Sequence, residues 1–191
     1  MQVARRLPLA LTALRALLGP VLLLQAWAGP APRLFAACLV AAFLSDVFDG
    51  IVARRLGIAT AGLRRLDSLA DTVFYVCATA AVARLQPGVI AHHATALLVL
   101  LALELLRYAY DLRKFGREAA YHMLSSKAWG VALFAGFGSL LVLGRDGWAV
   151  DLAIGLGIVA DLEGLAISWV LPAWRADVPS IVHALRLRAR A

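Results

Sequence analysis

Long apolar runs broken by short polar punctuation make up most of this sequence. The runs occupy residues 9–27, 34–53, 67–84, 89–109, 127–144 and 149–171. Each is close to the ~20 residues a helix needs to cross the hydrocarbon core of a bilayer. Gly29-Pro30-Ala31-Pro32 closes the first run, and the stretch from Arg54 to Arg65 separates the second from the third. Gln86-Pro87-Gly88 follows the third, and the stretch from Asp111 to Glu118 follows the fourth. Gly144-Arg145-Asp146-Gly147 makes a turn after the fifth, and Pro172 ends the sixth. Every backbone N–H and C=O at bilayer depth must be bonded within its own segment, which selects helices, and the alternation expected of barrel strands is absent. The pattern predicts an all-α, polytopic membrane protein: six transmembrane helices in one domain over residues 1–191.

Composition points the same way. Hydrophobic residues make up 62% of the chain and charged residues 16%, against about 45–50% and about 25% in a soluble globule. That excludes a disordered chain, a nucleic-acid-binding tail protein and an ordinary cytosolic enzyme. Cys38 and Cys77 lie inside apolar runs without metal-type neighbours and read as small buried hydrophobes. The first run follows Arg5 and Arg6 but lacks a small-residue cleavage site, so no secretory signal is expected.

The net charge of +7 acquires meaning once it is sorted by side. Six spans put both termini on one face. That face receives Arg5, Arg6, Arg15, Arg54, Arg55, Arg64, Arg65, Arg107, Arg113, Lys114, Arg117, Lys127, Arg175, Arg186, Arg188 and Arg190. The other keeps only Arg33, Arg84 and Arg145. The positive-inside rule then sets both termini in the cytoplasm, with Trp27 and Trp148 at the outer interface and Trp129 and Trp174 at the inner one. The basic charge serves topology and contact with anionic lipid; no nucleic-acid partner is expected.

Against this background four carboxylates stand out. Asp46, Asp49, Gly50 and Ala53 recur at i, i+3, i+4 and i+7 on one face of the second span. Asp67 and Asp71 are i and i+4 on the third. A short connection makes the two helices antiparallel neighbours, so both pairs meet just inside the cytoplasmic face. One or two hard divalent cations with oxygen ligands would relieve their repulsion. Small Gly50 and Ala53 leave room beside the acids, and Arg54 and Arg55 offer positive charge to an anionic ligand. Ordinary structural uses remain open residue by residue: Asp67 as a helix N-cap, and Asp46 or Asp49 paired with Arg54 or Arg15.

The run Asp46-Val-Phe-Asp49-Gly50-Ile-Val-Ala53-Arg54, followed by Asp67-Ser-Leu-Ala-Asp71, resembles the signature of the CDP-alcohol phosphotransferases, D-x-x-D-G-x-x-A-R then a Gly and D-x-x-x-D. Pro8-x-x-Leu11-Thr12-x-x-Arg15 is similar to an element common near the start of that family. Two positions depart from it. Leu63 stands where the family has a glycine, with Gly62 one position early, and Leu9 replaces an Asn after Pro8. Both border the nucleotide in the family.

The resemblance implies an enzyme of phospholipid biosynthesis in a cell (inner) membrane. Its reaction moves a phosphatidyl group from a CDP-linked lipid such as CDP-diacylglycerol to an alcohol and releases CMP. It further implies two Mg²⁺ or Mn²⁺ ions on Asp46, Asp49, Asp67 and Asp71, with Asp71 also the general base. Thr12, Gly50, Ala53, Arg54 and Gly62 would border the nucleotide and diphosphate, and two copies of the chain would form a homodimer. On the acceptor side, Lys127 matches a lysine of the family. Arg107, Arg117 and Lys127 are candidates for an acceptor phosphate, or are ordinary positive-inside residues. Arg-rich, Lys-poor usage fits a bacterial source.

Two other functions use buried acids. A membrane prenyltransferase holds a metal-bound diphosphate with Asp-rich motifs, but in a longer chain with more helices. A divalent-cation carrier usually shows internal repeats and acids near the midplane, neither of which is present. Asp161 and Glu163 in the sixth span stand apart from these readings, with the bundle interior or a dimer contact as the two places open to them.

Overall fold

The computed structural model describes residues 2–57 and 60–189, with side chains described for all of these except 2–6, 53, 54 and 61. Among the described residues it is all-helical, in the order α1 (Gln2–Ala28), α2 (Pro32–Arg55), α3 (Ala61–Leu85), α4 (Pro87–His92), α5 (Ala94–Phe115), α6 (Leu124–Leu141), α7 (Trp148–Val170) and α8 (Ile181–Arg188). Four helices contain segments long and apolar enough to cross a membrane: Leu7–Ala28, Pro32–Val52, Gly62–Leu85 and Leu124–Leu141. The other two expected spans fall on α5 and α7, which carry Glu104, Arg107 and Asp111, and Asp151, Asp161 and Glu163.

Helix bounds follow local chemistry rather than hydropathy alone. α3 starts at Ala61, ahead of the expected residue 67, because Thr60 caps it: its hydroxyl accepts from the Leu63 N–H at 3.2 Å. Asp67 is therefore not an N-cap but lies inside the helix. The expected fourth span is broken into α4 and α5 at His93.

The chain divides into two compact units. One comprises α1 to α3, most of α4, and the segment Phe137–Arg145; the other comprises His92–Gly136 and the chain from Asp146 onward. In the first unit α1 packs against both α2 and α3. Gly19 permits the approach of α3, since a Cβ there would sit 2.9 Å from the Phe74 Cα. At the far end of the same pair, Arg84 of α3 lies over the Trp27 ring of α1, 5.0 Å from its centroid.

In the second unit α7 packs on α5 and α8. Gly164 makes room for the Arg107 side chain, whose Cδ would be 2.7 Å from an added Cβ. Tyr121, Met123, Ile167, Leu171, Val178 and Ala184 form a buried core that gathers the loop before α6 and the start of α8 around the end of α7. His93 is buried, with Nε2 2.9 Å from Asp146 Oδ1.

Candidate active site

Asp46 and Asp49 face α1 from the last three turns of α2, and Asp67 and Asp71 face it from the second and third turns of α3. Arg15 of α1 stands between the two pairs and contacts all four. Its Nη1 donates to Asp46 Oδ1 at 2.8 Å and to Asp71 Oδ1. Its Nη2 donates to Asp67 Oδ1 at 2.8 Å and to Asp49 Oδ2. Each terminal nitrogen thus joins one acid of α2 to one acid of α3. Pairing with Arg15 had been an open alternative for Asp46 or Asp49, and it extends to all four acids.

The cluster has a closed floor and an open rim. The side chains of Arg15 and Asp49 are 2% and 6% exposed, while those of Asp46, Asp67 and Asp71 are 49%, 34% and 36% exposed. Thr12, one turn before Arg15, is buried; its hydroxyl donates to the Pro8 carbonyl at 3.0 Å and lies 3.5 Å from Asp49 Oδ2. A single guanidinium does not balance four ionised carboxylates, so the site retains negative charge open to a ligand. The donor set fits a hard divalent cation. Asp46, Asp49 and Asp67 each offer a carboxylate oxygen, all within 4.8 Å of one another, and oxygen-only sets suit Mg²⁺ and Mn²⁺.

The remaining candidates are distributed as follows. Gly50 is half-buried one residue after Asp49. Gly62 is exposed in the first turn of α3, with open space where a side chain would project. The side chains of Ala53 and Arg54 lie outside the described residues. Arg107, Arg117 and Lys127 all belong to the second unit. Arg107 donates from Nε to Asp161 Oδ1 at 3.1 Å and from Nη2 to Glu104 Oε1 at 2.7 Å. Arg117 stacks over the Trp174 ring at 4.9 Å, and Lys127 is exposed at the start of α6.

These contacts also give Asp161 and Glu163 their places. Asp161 is the buried partner of Arg107. Glu163 accepts from Ser125 Oγ of α6 and, at 3.1 Å, from the Ile181 N–H that opens α8. Sequence reading missed a further chain. Ser168 donates its only hydroxyl proton to Asp111, so the Tyr121 phenol, 2.8 Å from Ser168 Oγ, is the donor in that pair. Burial pushes the Tyr121 phenol above its ordinary pKa, which keeps it a donor. No spacing rule links residues 111, 121 and 168; only the packing of α5 and α7 does.

The family model of the CDP-alcohol phosphatidyltransferases matches residues 5–171. The chain belongs to the CDP-alcohol phosphatidyltransferase family. The match takes in Arg15 and all four acids and runs to the end of α7, leaving α8 beyond it. Members of this family are transferases of phospholipid biosynthesis, and the apolar helices make this one an integral membrane protein. No curated protein and no solved structure matches the chain.

Proposed function

We propose that this family member transfers a phosphatidyl group from CDP-diacylglycerol to an alcohol and releases CMP. The observation that carries this reading is the meeting of Asp46, Asp49, Asp67 and Asp71 around one buried guanidinium, with three carboxylates close enough to share a cation. Those four acids would hold Mg²⁺ or Mn²⁺, two ions by family resemblance. Bound there, the ions supply positive charge to the diphosphate and to the departing phosphate.

The chain's own groups divide the remaining work. Asp71, one-third open at the rim, takes the proton of the acceptor hydroxyl. The freed oxygen bonds to the phosphorus that bears the diacylglycerol. The bond from that phosphorus to the bridging oxygen breaks, and CMP leaves with that oxygen. Buried Asp49 fixes the floor of the site, with Thr12 beside it. Gly50, Ala53 and Gly62 leave space for the cytidine, and Arg54 meets the phosphates. Arg107, Arg117 and Lys127 serve an acceptor that carries its own phosphate. The domain crosses the membrane six times, α5 and α7 included, with both termini and the carboxylates at the cytoplasmic face of a bacterial inner membrane.

An acceptor screen tests this. Purified protein is given CDP-diacylglycerol, Mg²⁺ or Mn²⁺ and a panel of free and phosphorylated alcohols, and the lipid products are read by mass spectrometry. One acceptor is expected to appear esterified to a phosphatidyl group. Unchanged donor with every acceptor would count against the reading.

A further inference from the structure

We propose that Arg15 is a built-in counter-cation of the carboxylate cluster, holding the four acids together and setting how tightly they take a divalent ion. This rests on the reading that the acids bind such an ion. The geometry has three parts. Arg15 joins Asp46 to Asp71 through one nitrogen and Asp49 to Asp67 through the other. Through this guanidinium, α1 ties the acids of α2 to those of α3. Like charges gathered at one place repel, and an opposite charge among them offsets that repulsion.

The second part is shared ligands. Asp46, Asp49 and Asp67, the three carboxylates grouped for a cation, are all partners of Arg15. A divalent ion and the guanidinium therefore compete for the same groups. The third part is how Arg15 is held. Its side chain is 2% exposed, yet its Nε has no hydrogen-bond partner among the described residues. The hydrogen bonds that fasten the guanidinium come from the acids themselves. When an ion draws those acids away, no other hydrogen bond among the described residues retains Arg15 in its place, and it becomes available to an anionic ligand.

Direct cation binding is the test, without any CDP-lipid. The full-length protein in detergent is titrated with Mn²⁺, and the free ion is followed by electron paramagnetic resonance. Arg15→Gln is expected to bind Mn²⁺ at least tenfold more tightly than the wild type. Arg15→Lys, which keeps the charge, is expected to stay within about threefold. Without metal, Arg15→Gln is expected to melt at a lower temperature than wild type, and Mn²⁺ is expected to raise its melting temperature by the larger increment. If Arg15→Gln has no cooperative transition without metal, recovery of one on adding Mn²⁺ supports the proposal. Unfolding that Mn²⁺ does not relieve overturns it. Equal or weaker Mn²⁺ binding by folded Arg15→Gln overturns the Arg15 role while leaving the metal site standing. No Mn²⁺ uptake by folded wild type or variant overturns both.

Discussion

Asp49 and Asp71 share a partner in Arg15, yet their surroundings assign them different work. Asp49 is nearly closed off beneath the cluster, whereas about a third of the Asp71 side chain is open. Asp71→Asn is expected to lower turnover by ~10²- to 10⁴-fold, the usual worth of a general base, while CDP-lipid binding stays within about tenfold. Steady-state rates alongside equilibrium donor binding check this, and near-normal turnover would contradict the base assignment. Asp49→Asn is expected to act earlier, weakening Mn²⁺ binding itself in the same spectroscopic titration. The acids were legible from their spacing, because i, i+3 and i, i+4 fix a shared helical face without any knowledge of the neighbours. The central position of Arg15 was not. A lone arginine in an apolar run reads equally as a topology signal, and only the packing of α1 on both α2 and α3 turns it toward both acid pairs. Asp161 and Glu163 were opaque for the same reason, since their partners Arg107, Ser125 and Ile181 are distant in sequence.

Between helices, the decisive contact is the passage of α1 close to α3. A Cβ at Gly19 would meet the Phe74 backbone, which cannot swing aside as a side-chain tip can. Gly19→Ala is therefore expected to destabilise the protein by about 1–3 kcal/mol, the usual cost of overpacking. Gly138→Ala, where open space surrounds the added methyl, is expected to leave the melting temperature unchanged or slightly raised. Thermal melts of both variants in one detergent make the comparison, and an undisturbed Gly19→Ala would contradict the close approach. Helix existence was readable from the apolar runs, but the packing of α1 on both acid-bearing helices was not, because an apolar run does not say which helix it meets. The start of α3 escaped hydropathy too, because Arg64, Arg65 and Asp67 look like a loop until Thr60 is recognised as the cap.

For the molecule as a whole, the proposed membrane topology rests on charge distribution and apolar runs together. The proposed topology of six spans with cytoplasmic termini predicts that a cysteine at Ala31 reacts with an impermeant thiol reagent from outside intact cells. One at Arg175 is expected to react only after permeabilisation. Both are made in protein lacking Cys38 and Cys77, and reaction of both from the same side would contradict the topology. The charged residues of α5 and α7 are what hydropathy undervalues. Glu104, Arg107 and Asp161 bond to one another, and Asp111 bonds to Ser168, so part of the polarity that a residue-by-residue sum counts in full is paired within the fold. The central chemical claim is that four acids from α2 and α3 make one cation-dependent transfer site. CMP release from CDP-diacylglycerol, followed while Mn²⁺ is titrated in the presence of the acceptor panel, tests it most directly. Release is expected to require both the ion and an alcohol and to fall ~10²- to 10⁴-fold in Asp71→Asn; no release at any Mn²⁺ concentration from folded, ion-loaded protein would contradict it.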